Sequence, residues 1–201
     1  MLFRSSTDPT AVQQPHPIVM SAGFSPKGRD FAAITSRALF TTMSDLSQAP
    51  KMMADIKALV ARHGRQLDVY TMAHVVCRPT RKEAEEFYFY FAEEMADADG
   101  QAYYRRQRGS KAGTMSGPKI ERPLENRYMR ASGKKLDGAY PGAYPLIGSP
   151  DDVAEEIARL SAAGLAGCSI AFLDYLKEIP FFVAEVLPRL ERMGLRRPAT
   201  A

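Results

Sequence analysis

Residues 23–28 are the part of this sequence best suited to bind a ligand. They read Gly23-Phe24-Ser25-Pro26-Lys27-Gly28 and follow a short apolar run that has the composition of a buried strand. A glycine after a strand lets the backbone approach a ligand closely. Ser25 is a favoured N-cap and Pro26 a favoured first helical residue, so a helix is expected to begin here. Its unpaired N–H groups and positive dipole end would form an anion site suited to a phosphate. The alternative is a plain capped turn in which Ser25 bonds only to its own helix.

Other residue types with chemical capacity give weaker signals. His74 lies inside the most strand-like run of the chain, where a histidine is more often a packed residue than a general base. Cys77 and Cys168 both lie in apolar runs, which favours two buried thiols over a disulfide. No Cys/His spacing in the sequence indicates a metal site. The aromatic run at 87–91 favours packing in the core or against a partner chain over stacking on nucleic acid.

The elements that must position these residues alternate between strand and helix about four times. Apolar runs predict strands at 18–22, 38–42, 67–77 and 168–173, and amphipathic patterns predict helices at about 26–37, 47–63, 80–98, 149–164 and 179–193. Thr80 with Glu83 has the pattern of a capping box, and Ser149-Pro150 that of a helix start. The alternation predicts an α/β fold, a parallel sheet with helices on its faces. Four strands are half of the eight in a (β/α)8 barrel.

Residues 100–144 interrupt this alternation. The stretch is rich in Gly, Ser, Lys and Arg and has little apolar periodicity, so we expect a long mobile insertion. The sequence therefore predicts an extended lead-in at 1–16, one domain at 17–197 that contains the insertion, and a tail at 198–201.

The composition is that of an ordinary globular domain. Of the 201 residues, 45% are hydrophobic and 25% are charged. No segment reaches the roughly 18 consecutive apolar residues of a membrane helix. The first 17 residues lack the apolar core of a signal peptide, so we expect a cytoplasmic protein. The net charge is +4, and many of the basic residues lie close together in the predicted insertion. This favours a charged loop over a nucleic-acid-binding face.

Three segments, taken together and in order, carry a family resemblance. They are SAGFSPKGRDFAA at residues 21–33, AYPLIGSPDDVA at 143–154, and a closing strand and helix with AGLAG at 163–167 and VLPRL at 186–190. The first resembles the AG-x-S-x-x-G-R-x-x-A turn of luciferase-like flavin monooxygenases, and the second resembles their P-L-x-G-T/S-P-E-x-V-A helix start. The sulfone and pyrimidine monooxygenase branch is the most similar. The resemblance covers about residues 14–197 and corresponds to the C-terminal half of the family's fold.

The resemblance implies a fold, an activity and a set of site residues. The fold would be the C-terminal portion of a (β/α)8 TIM barrel with a long insertion. The activity would be oxygenation of a small organosulfur or heterocyclic substrate by O2 and reduced FMN, which a separate flavin reductase supplies; a deazaflavin replaces FMN in some relatives. The flavin-binding residues would be Ser21, Ala22, Gly23, Phe24, Ser25 and Gly28. The substrate would meet residues of the insertion and its end, namely Arg127, Arg130, Tyr140 and Tyr144. No catalytic residue is assigned.

Two alternatives remain open at this point. The chain can be a non-catalytic remnant, or a subunit that needs a second chain to complete its barrel. The exposed edges of a half barrel favour association, either as a homo-oligomer or with a complementing chain. Asp174 and Tyr175 follow the last predicted strand, and they either line a pocket or cap the next helix.

Overall fold

The chain folds as a five-stranded, all-parallel sheet flanked by helices. The computed structural model describes residues 12–13, 17–43, 46–100, 102–103 and 143–198. Within them the elements follow in the order β1 (Met20–Ala22), α1 (Pro26–Thr35), β2 (Ala38–Thr41), a 3₁₀ turn (Leu46–Gln48), α2 (Ala49–His63), β3 (Asp68–Cys77), α3 (Arg81–Phe89), a π-helical turn (Tyr90–Glu94), β4 (Tyr144–Gly148), α4 (Pro150–Ala162), β5 (Gly167–Ala171), α5 (Tyr175–Glu185) and α6 (Leu187–Arg192). The predicted α/β class is confirmed.

Four strands lie side by side in the order β1-β2-β3-β5. The fifth strand, β4, pairs with the C-terminal part of β3. Both β2 and β5 pair with Tyr70 and Thr71 of β3, so they lie on opposite edges of that strand. β4 pairs with Ala73 to Cys77 and overlaps β5 at Ala73 and His74. It therefore lies on the same edge of β3 as β2, beyond the point where β2 ends. All five strands run the same way, so their carboxyl ends meet at one edge of the sheet.

Helices cover both faces of β3, but at different places. Val69, Ala73 and Val75 point to one face and pack in the main core with buried residues of α1, α2, α4, α5 and α6. Side chains alternate along a strand, so Val76 points to the opposite face. There it packs with Ile147 of β4 and with Ala84, Tyr88 and Phe89 of α3. The aromatic run thus forms a second core on the face away from the other helices, and its packing role is confirmed.

Local capping explains where the helices begin and end. Ser25, Thr80 and Ser149 are N-caps whose side chains accept the N–H group three residues on, as the sequence predicts. Thr80 and Ser149 belong to complete capping boxes with Glu83 and Asp152. α4 ends at Ala162 and is followed two residues later by Gly164, whose φ of 98° is accessible to glycine at little cost.

The elements differ from the expected ones in three places. β4 was not predicted, because it is a five-residue strand that contains a proline and, among the described strands, pairs with the far end of β3 alone. The helix expected at 179–193 is two helices and starts at Tyr175, and α6 begins next to Pro188, which lacks an N–H group. The helix expected to reach residue 98 is α-helical only to Phe89 and continues as a π-helical turn.

The predicted insertion lies mostly outside the described residues. Residues 98–100 and 102–103 are helical, and residues 104–142 are not described. The proposed substrate contacts Arg127, Arg130 and Tyr140 therefore remain predictions.

Candidate functional site

The turn from Gly23 to Gly28 joins β1 to α1 at the carboxyl edge of the sheet. The Gly23 N–H group donates to the Phe40 carbonyl at 2.9 Å, which extends the pairing of β1 with β2 by one residue. The Gly28 N–H group donates to Ser25 Oγ at 3.1 Å, and the Arg29 N–H group donates to the Ser25 carbonyl at 2.9 Å. The turn therefore holds the start of α1 directly against the end of β1.

Close packing accounts for both glycines of this turn. A Cβ atom on Gly23 would lie 3.1 Å from the carbonyl carbon of Gly28, and one on Gly28 would lie 3.2 Å from Ser25 Oγ. A larger residue at Gly23 would push the strand end away from the helix start, and one at Gly28 would crowd the Ser25 hydroxyl that caps the helix. The glycines thus bring the polar backbone of the first helical turn to the edge of the sheet.

This arrangement has the donors that a phosphate requires. The Ser25 hydroxyl accepts from Gly28 and keeps its own hydrogen for donation outward. Pro26 has no N–H group, so Lys27 supplies the first N–H of the helix after the cap, and its exposed ammonium adds a positive charge. These groups, with the positive end of the helix dipole, fit a dianionic phosphate monoester.

Ser21 and Ala22 point to opposite faces of the sheet. Ser21 is in register with Leu39, which is buried in the main core beneath the helices. Ala22 is in register with Phe40, and Phe40 in turn with Tyr70, so these three side chains point to the other face. In a barrel that face is the inner one. Of the two residues, Ala22 is therefore the one on the barrel interior side of β1.

A charged pair at the carboxyl edge was not anticipated from the sequence. Arg78 directly follows β3, and its Nη2 lies 2.7 Å from Glu178 Oε1 in the first turn of α5. Glu178 is buried, and its Oε2 accepts the N–H groups of Leu173 and Asp174, both at 2.9 Å. The Arg78 guanidinium also lies 4.0 Å over the Phe87 ring. The pair thus connects the end of β3, helix α3 and the loop after β5.

No local pattern in the sequence could have revealed this pair. Its members lie in separate strand–helix units, and the residues next to each in the chain carry no motif. Only the pairing of β5 with β3 brings the two carboxyl ends together.

His74 is a packed residue of the inner face. It is 1% exposed, and its ring stacks on Tyr88 of α3 with centroids 5.7 Å apart and planes 9° from parallel. Burial lowers the pKa of His74 from 6.5 to about 3, so the imidazole is neutral near neutral pH. This agrees with the interpretation of His74 as a structural residue.

The remaining predicted residues take several positions. Phe24 is 42% exposed beside the cap. Tyr144 is buried in β4 and its hydroxyl hydrogen-bonds to Glu156 of α4. Asp174 caps α5 by accepting from the N–H groups of Leu176 and Lys177, at 3.1 and 3.2 Å. Of the two roles considered for Asp174, the structure shows the capping one.

Other classes of site are not found in the described part of the chain. No cluster of His, Cys, Asp or Glu there could hold a metal ion, and Cys77 and Cys168 are both reduced thiols. Among the described helices none is long and apolar enough to cross a membrane. One cavity of about 260 Å³ opens between α4 and α6, lined by Asp151, Glu155, Arg189 and Met193 among others. It lies on the helical side, away from the turn at Gly23.

The fold defines a class of protein: parallel α/β chains of the TIM-barrel type, here with a capped strand-to-helix turn at the carboxyl edge of the sheet. Comparison with known sequences gives the family. The family described as "Luciferase-like monooxygenase" matches residues 2–167, and the chain belongs to it. Its order of elements corresponds to the C-terminal half of that family's fold.

Several characterised proteins resemble the chain over about half of their own length. The FMNH2-dependent dimethylsulfone monooxygenase of Pseudomonas putida is 28% identical over 196 residues, which are 95% of this chain and 51% of that protein. The sulfoquinovose monooxygenase of Agrobacterium fabrum is 24% identical over 199 residues, with 94% of this chain and 51% of that protein covered. The crystal structure of DmoA from Hyphomicrobium sulfonivorans has a TM-score of 0.70 at 20% identity and covers 96% of this chain and 46% of that one. The structural neighbour establishes the fold.

Proposed function

We propose that the protein is a reduced-flavin-dependent monooxygenase that binds the phosphate of FMN at the turn from Gly23 to Gly28. The observation that carries this proposal is the contact between the two glycines, which places the Ser25 hydroxyl and the start of α1 at the carboxyl edge of the sheet. In barrels of this type that edge holds the active site. Family membership supports the same choice of cofactor, because a relative that covers the chain at 28% identity is FMNH2-dependent.

The chain's own residues would bind and orient the flavin. Ser25 and the first helical turn would neutralise the phosphate, and Ala22 with the neighbouring inner-face residues would border the isoalloxazine side of the pocket. The reduced flavin, when bound, supplies the activation of O2. The Arg78–Glu178 pair would hold the loop after β5 in place at the same edge and so keep water out of the site.

The finer parts of the proposal concern substrate and partners. We propose a small organosulfur or heterocyclic substrate, since a relative oxygenates dimethyl sulfone as its name states. A separate flavin reductase would supply the reduced FMN. A deazaflavin is the second cofactor considered, and parallel titrations with FMN and with a deazaflavin distinguish the two.

The phosphate site is tested by titrating FMN into the purified chain and following the quenching of flavin fluorescence. Ser25→Ala removes both the cap and the outward hydroxyl, so FMN affinity should fall by roughly tenfold, the equivalent of one charge-assisted hydrogen bond. Ser149→Ala removes an equivalent cap from α4 and should destabilise the chain similarly without changing FMN affinity. Equal losses in both variants, or no saturable binding by the folded chain, would contradict the site.

A further inference from the structure

Ser169 of β5 lies on the inner face of the sheet. It is in register with Met72 of β3, and successive side chains of a strand point to opposite faces. The residues on either side of it, Cys168 and Ile170, pack against the main core beneath the helices. The Ser169 side chain therefore points away from the helices, toward the face that includes Met72.

A close contact two residues earlier on β5 supports this orientation. A Cβ atom on Gly167 would lie 3.2 Å from two ring carbons of Tyr70, which is an inner-face residue of β3. Gly167 and Ser169 are two positions apart on one strand, so both face the same side of the sheet. The Tyr70 ring thus covers the position of Gly167, and Ser169 is the next inner-face residue of β5 toward the carboxyl edge.

Ser169 offers an exposed hydroxyl on a part of the inner face that is mostly apolar. The apolar side chains that share this face with it are Ala22, Phe40, Met72 and Ala171. His74 is also on this face, but it is neutral near neutral pH and is 1% exposed, stacked on Tyr88. Ser169 is exposed, and no hydrogen bond joins its hydroxyl to another residue in the described part of the chain. Its hydroxyl is therefore available to a ligand.

The distance between Ser169 and the turn at Gly23 is one that FMN can span. β1 and β5 are separated by β2 and β3, which makes three strand spacings of about 4.8 Å, or about 14 Å along the sheet. In the strand direction Ser169 lies two residues, about 7 Å, beyond the level of Ala22 toward the carboxyl edge. In FMN the ribityl chain separates the phosphate from the far edge of the ring system by a comparable length. A flavin with its phosphate at the turn would therefore reach β5 across the inner face.

We propose that the Ser169 hydroxyl hydrogen-bonds to the pyrimidine edge of the isoalloxazine, while the turn at Gly23 binds the phosphate of the same FMN. The pyrimidine edge has carbonyl acceptors and an N–H donor, and a serine hydroxyl both donates and accepts. The opposite edge of the ring system carries only methyl groups and could not use the hydroxyl. The inference rests on the proposed function, because it extends that flavin site from the phosphate to the ring.

The surroundings of Ser169 suit a flat ring system with one polar edge. Met72, which is in register with Ser169, and Ala171, two positions further along β5, are apolar and only partly buried. A methionine sulfur makes favourable contacts with aromatic rings. Neither neighbour supplies a positive charge, so the position is a poor one for the phosphate and a good one for the neutral edge of the ring.

The test is a pair of titrations of the purified chain, one with FMN and one with riboflavin, which has the same ring system and no phosphate. Ser169→Ala should weaken the binding of both flavins by the same factor, roughly three- to tenfold, the equivalent of one hydrogen bond. Ser25→Ala should weaken the binding of FMN alone, because riboflavin has no phosphate to lose. Ser161→Ala is the matched control, since Ser161 is an exposed serine of α4 on the helical side, and it should change neither affinity.

The outcomes separate the ring contact from the phosphate site. Flavin binding that Ser169→Ala leaves unchanged would overturn the ring contact alone, and so would a loss of affinity for FMN without a loss for riboflavin. If the chain binds FMN but not riboflavin, the absorption spectrum of the bound FMN decides, since Ser169→Ala should shift its long-wavelength maximum and an unchanged maximum would overturn the contact. A chain that binds neither flavin would overturn this inference together with the proposed cofactor site.

Discussion

His74 should make the stability of this chain depend on pH in a predictable way. The imidazole is 1% exposed, and burial lowers its pKa from 6.5 to about 3. In the unfolded chain the pKa returns to about 6.5, so below that pH the unfolded state binds a proton that the folded state does not. The stabilisation is fully present above pH 6.5 and is lost progressively as the pH falls toward 3.

The size of the effect follows from the linkage relation. Between about pH 7 and about pH 5 the imidazole in the unfolded chain gains most of one proton. Each pH unit below its pKa lowers the free energy of unfolding by about 1.4 kcal/mol. The free energy of unfolding should therefore fall by about 2 kcal/mol over this interval through His74 alone. Urea denaturation followed by circular dichroism, at both pH values, measures the change.

A variant without the titrating group isolates this contribution. His74→Phe keeps an aromatic ring against Tyr88 and should remove about 2 kcal/mol of the pH dependence, whatever its stability at pH 7. His63→Phe is the control, because His63 lies at the end of α2 beside Asp30 and is not part of the inner face. If the pH dependence of the His74 variant equals that of the natural chain, the imidazole titrates normally and the assignment is wrong.

Three further predictions concern thiols, the charged pair and the core. Burial raises the pKa of Cys77 to about 12 and also raises that of Cys168, so neither thiol should react with an aromatic disulfide reagent near pH 8 until urea unfolds the chain. Glu178→Ala leaves Arg78 and two loop N–H groups without their buried partner, so the free energy of unfolding measured with urea should fall by about 3 kcal/mol. Glu86→Ala is the control, because Glu86 forms an exposed ion pair with Lys82, and it should lower that free energy by less than about 0.5 kcal/mol. Phe182→Ala removes a buried ring from the main core and should cost about 3–5 kcal/mol, seen as a lower thermal midpoint; a loss below about 1 kcal/mol would mean that α5 is not firmly packed.

Features that depend on neighbours in the chain were predictable from the sequence. Ser25, Thr80 and Ser149 cap their helices because a hydroxyl reaches an N–H group three residues on, and this geometry needs no tertiary contact. The class of sheet followed from the alternation of strands and helices. The turn at Gly23 was identified for its position between a strand and a capped helix, and the structure adds the reason for its glycines, which is the 3.1 Å approach to Gly28.

Features that join distant parts of the chain could not be predicted. Among the described strands β4 pairs with the end of β3 alone, and two of its five residues, Pro145 and Gly148, are of types depleted in strands. Arg78 and Glu178 meet because β5 lies beside β3, and α3 packs on the inner face because Val76 and Ile147 offer it an apolar patch there. The sequence by itself determined the caps, the element types and the candidate turn, since these depend on interactions within a few residues. The tertiary structure decided the charged pair and the neutral His74, since burial and contact depend on which segments lie side by side.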